Sequence, residues 1–71
     1  MKARTVKNHV REIRSSLGMT QEKLALLTGI ARQSIISIER ERYLPNIETA
    51  LLISRSLKVL VDELFWLEEE N

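Results

Sequence analysis

Apolar residues recur along this chain at helical spacing, interrupted at a few sharp points. Val10, Ile13 and Leu17 predict a helix over His9–Leu17 with Asn8 as its N-cap. Gly18 follows, where a helix end commonly takes a left-handed residue. Thr20 caps a second helix over Gln21–Thr28, with Glu22 in its first turn and Leu24, Ala25 and Leu27 turned inward. Gly29 stops it. Only Ile30 and Ala31 precede a third helix over Arg32–Arg40, whose inner stripe is Ile35 and Ile38. Glu41–Leu44 reads as a loop. Asn46 caps a fourth helix, with Glu48 in its first turn and a broad apolar face of Leu51, Leu52, Ile53 and Leu57. Lys58-Val59-Leu60 then leads to a short fifth helix over Val61–Phe65. Thr5 and Val6 give the first residues weak strand character.

The most informative stretch is Gln21–Ile38. Its two helices are joined by a turn too short for another supersecondary unit. Ala25 is small where the helices cross, Gly29 supplies a permissive backbone, and Ile30, Ile35 and Ile38 close a small core. That is the pattern of a helix-turn-helix, although an ordinary αα-hairpin shares much of it. The outer face of the third helix separates the two. It carries Arg32, Gln33, Ile36, Ser37 and Arg40, with no acid before Glu39, whereas a merely solvated face mixes Glu with Lys. Arg can bond guanine bidentately, Gln can bond adenine, Ser reaches a base or phosphate, and Ile36 can touch a thymine methyl.

With these residues in place, positions 9–65 resemble the Cro/repressor-type helix-turn-helix family, the phage-repressor-like regulators. The resemblance is carried by Arg14, Thr20-Gln21-Glu22-Lys23-Leu24-Ala25, Thr28-Gly29-Ile30, Arg32-Gln33-Ser34-Ile35, Ile38-Glu39-Arg40, Pro45 and Leu64-Phe65. It implies an all-α, five-helix domain that binds double-stranded operator DNA, usually as a homodimer, to control transcription. It places Arg32, Gln33 and Ser37 on base edges, with Ile36 beside them. Thr20 and Gln21 at the start of the second helix, and Arg40, Arg42 and Tyr43 after the third, fall on backbone phosphates. Arg14 and Glu39 match a partly buried salt bridge between the first and third helices. The chain also departs from the family pattern. Ala31 stands where Ser or Thr often caps the third helix, Glu41 and Lys58 stand where Gly is common, and Leu60 replaces a usual Pro or Ser.

Beyond that motif, Ala3–Lys7 and Trp66–Glu69 are expected to pair as two strands joining the ends of the chain. Leu60, Leu64, Phe65 and Trp66 are the candidate dimer contacts. A two-fold dimer would set its reading helices roughly 34 Å apart on a near-palindrome. The simplest function is a repressor. A DNA-binding antitoxin with Trp66 and Leu67 against a toxin, or a protein-interaction module that has kept the fold, are the alternatives.

Composition narrows the chemistry. The 71 residues allow one small domain, 1–71, with a helix-turn-helix core at 21–40 and extensions at 1–8 and 66–71. The absence of cysteine excludes a disulfide framework, a thiol nucleophile and zinc-finger or iron–sulfur sites. A single His, His9, supports neither a catalytic set nor a metal cluster. We therefore expect no enzyme, cofactor, metal or small-molecule ligand. The longest charge-free run, Leu24–Ala31, is far short of a membrane span, and no secretory signal is evident. The expected location is the cytoplasm, at the nucleoid. Net charge is only +1, which by itself argues weakly against nucleic acid. Its distribution argues the other way. All 11 Lys and Arg lie at or before Lys58 with only five acids, while the other five acids lie beyond it with no base.

Overall fold

The computed structural model describes residues 3–70, with the side chains of residues 5–69. Its elements are β1 (Ala3–Asn8), α1 (Val10–Ser16), α2 (Gln21–Thr28), α3 (Arg32–Glu39), α4 (Ile47–Leu57), α5 (Val61–Leu64) and β2 (Phe65–Glu70). All five predicted helices form, and the two strands pair antiparallel, with Val6 opposite Leu67 and Asn8 opposite Phe65. Phe65 belongs to the strand rather than to α5, because the chain leaves that helix directly into extended backbone (φ −127°, ψ 142°). The junction is closed from the other side by the His9 N–H, which donates to the Leu64 carbonyl at 3.0 Å. Asn8 serves α1 from inside the strand, its side-chain oxygen accepting from the Val10 N–H at 3.1 Å.

Helix ends set the path of the chain. After α1, α3 and α4 the backbone turns left-handed, at Gly18 (φ 67°), Glu41 (φ 60°) and Lys58 (φ 59°). In each case the next N–H reaches back five residues, from Met19 to Arg14, from Arg42 to Ser37 and from Val59 to Ser54. This is the Schellman closure, which satisfies carbonyls that a helix end leaves open. Only one of the three uses glycine. The positions where the family pattern favours Gly are thus left-handed here with side chains attached. Gly29 (φ 74°) ends α2 by the simpler route, its N–H donating to the Ala25 carbonyl.

The core gathers one stripe from each helix. Val10, Leu24, Ile35, Ile38, Ile53, Leu57 and Leu64 are buried, with Ile13, Met19, Ala25, Ile30, Val59 and Phe65 packed around them. Three expected inner positions face outward instead: Leu17, Leu27 and Leu51. The turn at Gly18 swings Leu17 away and gives its place to Met19. On α2 the second inner position is Thr28, four residues after Leu24. Its hydroxyl donates to the Leu24 carbonyl at 2.7 Å and accepts from the Ile30 N–H at 3.2 Å, so burying it leaves nothing unsatisfied. On α4 the buried row is Ala50, Ile53, Ser54 and Leu57, which leaves Leu51 on the opposite side. Leu64, expected at a dimer contact, is 0% exposed; its side chain is core and offers nothing to a second subunit.

A polar node ties the helices at one point. Arg14 meets Glu39 through two bonds, Nε to Oε2 at 2.7 Å and Nη2 to Oε1 at 3.2 Å. Gln21 Nε2 also donates to Glu39 Oε1 at 3.1 Å, and Arg14 Nη1 donates to the Met19 carbonyl at 2.7 Å. The two charged side chains are only 12% and 4% exposed. Arg14→Ala would strand a buried carboxylate, at a cost of roughly 3–5 kcal/mol. A domain of this length commands about 4–10 kcal/mol in total. Urea unfolding of Arg14→Ala should therefore show about half the stability gone, and a loss under ~1 kcal/mol would refute a buried pair.

Lys58 predicts the opposite sign. Among the described residues its side chain has no hydrogen-bond or ion-pair partner to offset the left-handed backbone. That conformation costs a residue with a β-carbon ~1–2 kcal/mol, of which glycine returns ~0.5–1 kcal/mol as extra freedom in the unfolded chain. Lys58→Gly should gain ~0.5–1 kcal/mol, read as a melting temperature a few degrees higher (about 4–8 °C per kcal/mol). An unchanged or lower midpoint would count against strain at this turn.

Candidate nucleic-acid interface

The third helix is poorly built for its own stability. Its N-cap, Ala31, makes no side-chain bond, and its first turn has no acid. Arg32 instead places a cation at the end where the helix dipole disfavours one. Ser, Thr or Asp at the cap would contribute about 1 kcal/mol. What α3 has in exchange is an outer surface of two rows at a spacing of four. Arg32, Ile36 and Arg40 form one row, and Gln33 and Ser37 the other. Arg32, Gln33 and Arg40 are exposed, and Ile36 and Ser37 half-buried. The eight-residue helix spans about 12 Å, close to the width of the DNA major groove.

The neighbouring elements frame these rows. Arg32, Ile36 and Arg40 line a groove of about 530 Å³ together with Arg11, Arg14, Thr20, Gln21, Glu22 and Glu39. Its far wall is the start of α2. There the Thr20 hydroxyl accepts from the Lys23 N–H at 3.0 Å, and the N–H groups of Gln21 and Glu22 precede the first intrahelical bond. Those two donors and the positive end of the dipole suit an anion. Arg14 and Glu39 in the groove neutralise each other, which leaves Arg11, Arg32 and Arg40 against Glu22. On the other flank of α3, Gln33, Ser34, Ser37 and Tyr43 line a smaller notch. Arg42 and Tyr43 are exposed in the loop that follows.

The expected base readers and phosphate contacts thus fall on one continuous surface, apart from Arg42, which lies in the adjoining loop. Gln21 is more engaged than expected, its amide being held by Glu39. The same nitrogen carries a second hydrogen, so that bond orients the side chain without exhausting it. Arg11 and Ser34 were not anticipated. Arg11 had a signal, since it lies three residues before Arg14 on the same face of α1. The terminal residues lie elsewhere. Leu60 is 67% exposed, Phe65 is half-buried against the core, and Trp66 packs against His9 with ring centres 4.3 Å apart and planes tilted by 39°. Among the described residues no helix is long and apolar enough to cross a membrane, and no cluster of His, Cys, Asp or Glu could hold a metal ion.

The chain is similar to known proteins in sequence and in fold. A helix-turn-helix family model matches residues 10–64. YgzD of Bacillus subtilis, an uncharacterized HTH-type transcriptional regulator, is 41% identical over 66 residues, covering 93% of this chain and 100% of the relative. An uncharacterized HTH-type transcriptional regulator of Methanothermobacter thermautotrophicus is 42% identical over 63 residues, covering 87% of this chain and 91% of its own. Among solved structures, the restriction-modification controller protein C.AhdI from Aeromonas hydrophila superposes with a TM-score of 0.75 at 29% identity, over 78% of this chain and 83% of that one. The chain belongs to the Cro/C1-type helix-turn-helix family of DNA-binding transcriptional regulators.

Proposed function

We propose that this regulator binds a near-palindromic operator as a homodimer, acting most simply as a repressor in the cytoplasm at the nucleoid. The observation that carries this reading is the outer surface of α3, whose one acid, Glu39, is paired with Arg14, set beside the open start of α2. In it Arg32 and Gln33 read base edges from the first turn of α3, with Ile36 and Ser37 behind them. The open N–H groups at the start of α2, with the side chains of Thr20 and Gln21, hold backbone phosphates, and so do Arg40, Arg42 and Tyr43. Regulation is by occupancy, with no catalytic step.

Support for the dimer lies in the exposed apolar side chains. Leu60 and Trp66 remain candidates for a second copy, while Phe65 is half-buried against the core. Leu60 is the N-cap of α5, where its N–H donates to Glu63 Oε1 at 3.0 Å. Leu60→Asp puts a favourable capping residue there, so the fold is kept, while two copies would bring like charges together. Sedimentation should show that variant shifted toward monomer with unchanged circular dichroism. A variant that sediments like the parent would remove Leu60 from the interface.

Selection from a pool of genomic fragments, followed by footprinting, tests the function as a whole: specific and random DNA bound equally weakly would end it. The residue roles give a sharper contrast. Arg32→Ala and Gln33→Ala should each cost about 1–3 kcal/mol at one base position and relax specificity there. Arg42→Ala should weaken all sequences alike and lower the slope of log affinity against log salt by about one unit. Sequence-dependent loss from Arg42→Ala would reverse its assignment.

A further inference from the structure

Glu41 is the wrong residue for its place on two counts. It sits between Arg40 and Arg42 in the loop that follows the reading helix, where a carboxylate repels phosphates. It also holds a left-handed backbone (φ 60°) that favours glycine. Its side chain explains the choice. Oε2 accepts from the Asn8 N–H at 3.2 Å, and Oε1 lies 3.4 Å from Lys7 Nζ. Asn8 Nδ2 meanwhile donates to the Ile38 carbonyl at 3.0 Å, the same carbonyl that accepts the Glu41 N–H at 2.9 Å. Strand and loop are therefore closed into one ring of bonds through Asn8, Glu41 and Ile38. Lys58, the other non-glycine residue in a left-handed turn, has no comparable partners among the described residues.

We propose that Glu41 is a positioning residue for DNA binding, a latch that fixes the Arg40–Tyr43 loop to strand β1 and is itself neutralised by Lys7. The loop is then pinned twice, from within by the Arg42 N–H on the Ser37 carbonyl and from outside by β1. A pinned loop loses little freedom when it meets the phosphates, whereas a loose one is competent for only a fraction of the time and binds proportionally more weakly. The ammonium of Lys7 on the carboxylate reduces the repulsion that an acid at this position would otherwise exert. The inference rests on the assignment of Arg40, Arg42 and Tyr43 to the DNA backbone.

Two substitutions separate a latch from a mere charge. Glu41→Gln removes the charge but keeps an oxygen for the Asn8 N–H. Glu41→Gly removes both and relaxes the backbone. If the side chain acted only by charge, both variants would tighten binding equally. The latch predicts that Glu41→Gln binds a labelled mixed-sequence duplex of about 20 base pairs at least as tightly as the parent. Glu41→Gly should bind roughly three- to tenfold more weakly than Glu41→Gln at low salt. Amide exchange at Asn8 should quicken in the glycine variant alone. Asn8→Ser, which keeps an acceptor for the Val10 N–H but loses the amide donor to Ile38, should weaken binding in the same direction without touching the loop. Equal affinity of the Gly and Gln variants overturns the latch. Arg42→Ala, measured on the same duplex, checks the assignment beneath it: a loss there with equal Gly and Gln affinities condemns the latch alone, and no loss there overturns the phosphate assignment itself.

Discussion

The third helix of this domain is held at a fixed angle to the first two, and the Glu39 carboxylate does this. It sits at the end of α3 and accepts bonds from Arg14 on α1 and Gln21 on α2. The apolar core is small, and apolar packing alone is non-directional. Ile35 and Ile38 keep α3 attached to that core, but side chains of their kind tolerate sliding more readily than a two-pronged arginine–carboxylate contact does. The node costs desolvation and contributes geometry. Its arginine also caps the turn after α1 through the Met19 carbonyl, so the same side chain fixes both the end of one helix and the pitch of another.

Around that fixed point, local stability is given up at the start of α3. Helix α3 begins without a cap and with Arg32 in its first turn, although α2 and α4 begin on Thr20 and Asn46 with bonded side chains. The contrast lies within one chain, so general composition does not explain it. Glycine is absent from two of the three Schellman turns, and at Glu41 the side chain that strains the turn also ties it to β1. Two of these departures, the uncapped start and Glu41, lie at α3 and its exit, while Lys58 lies at the end of α4.

The helices and the outward face of α3 were legible because both follow from local chemistry. Caps, glycines and apolar spacing mark helix ends within one residue, and a helix that starts at Arg32 necessarily places Gln33, Ile36, Ser37 and Arg40 outward. The left-handed backbone at Glu41 and Lys58 was legible only as a conflict with the family pattern. Other features depended on tertiary context. Leu27 and Thr28 compete for one inner position, and hydropathy favours the wrong one because it does not see that the Thr28 hydroxyl is satisfied at the turn. Leu64 and Phe65 form one apolar run on paper, but the passage from helix to strand sends the first into the core and leaves the second half-buried. The Asn8–Glu41 ring joins residues 33 positions apart, and no spacing rule anticipates it.

The net charge of +1 acquires a direction once these elements are in place. The five acids beyond Lys58 all lie on α5 and β2, the side chain of the last, Glu70, not being described. None of the residues of α5 or β2 lines the groove between α2 and α3, where Arg11, Arg32 and Arg40 gather. A nearly neutral protein with its charges separated in this way is attracted weakly at long range but turned as it approaches, basic side first. The acidic segment is moreover a paired strand, its Glu68 opposite Thr5 and its Glu69 opposite Arg4, and so it is held in place by β1. The same strand carries Lys7 and Asn8, which hold Glu41. β1 therefore keeps the acids of β2 in a fixed position and secures the one acid that lies between the loop arginines, so that the orientation of charge and the geometry of the loop depend on a single short strand.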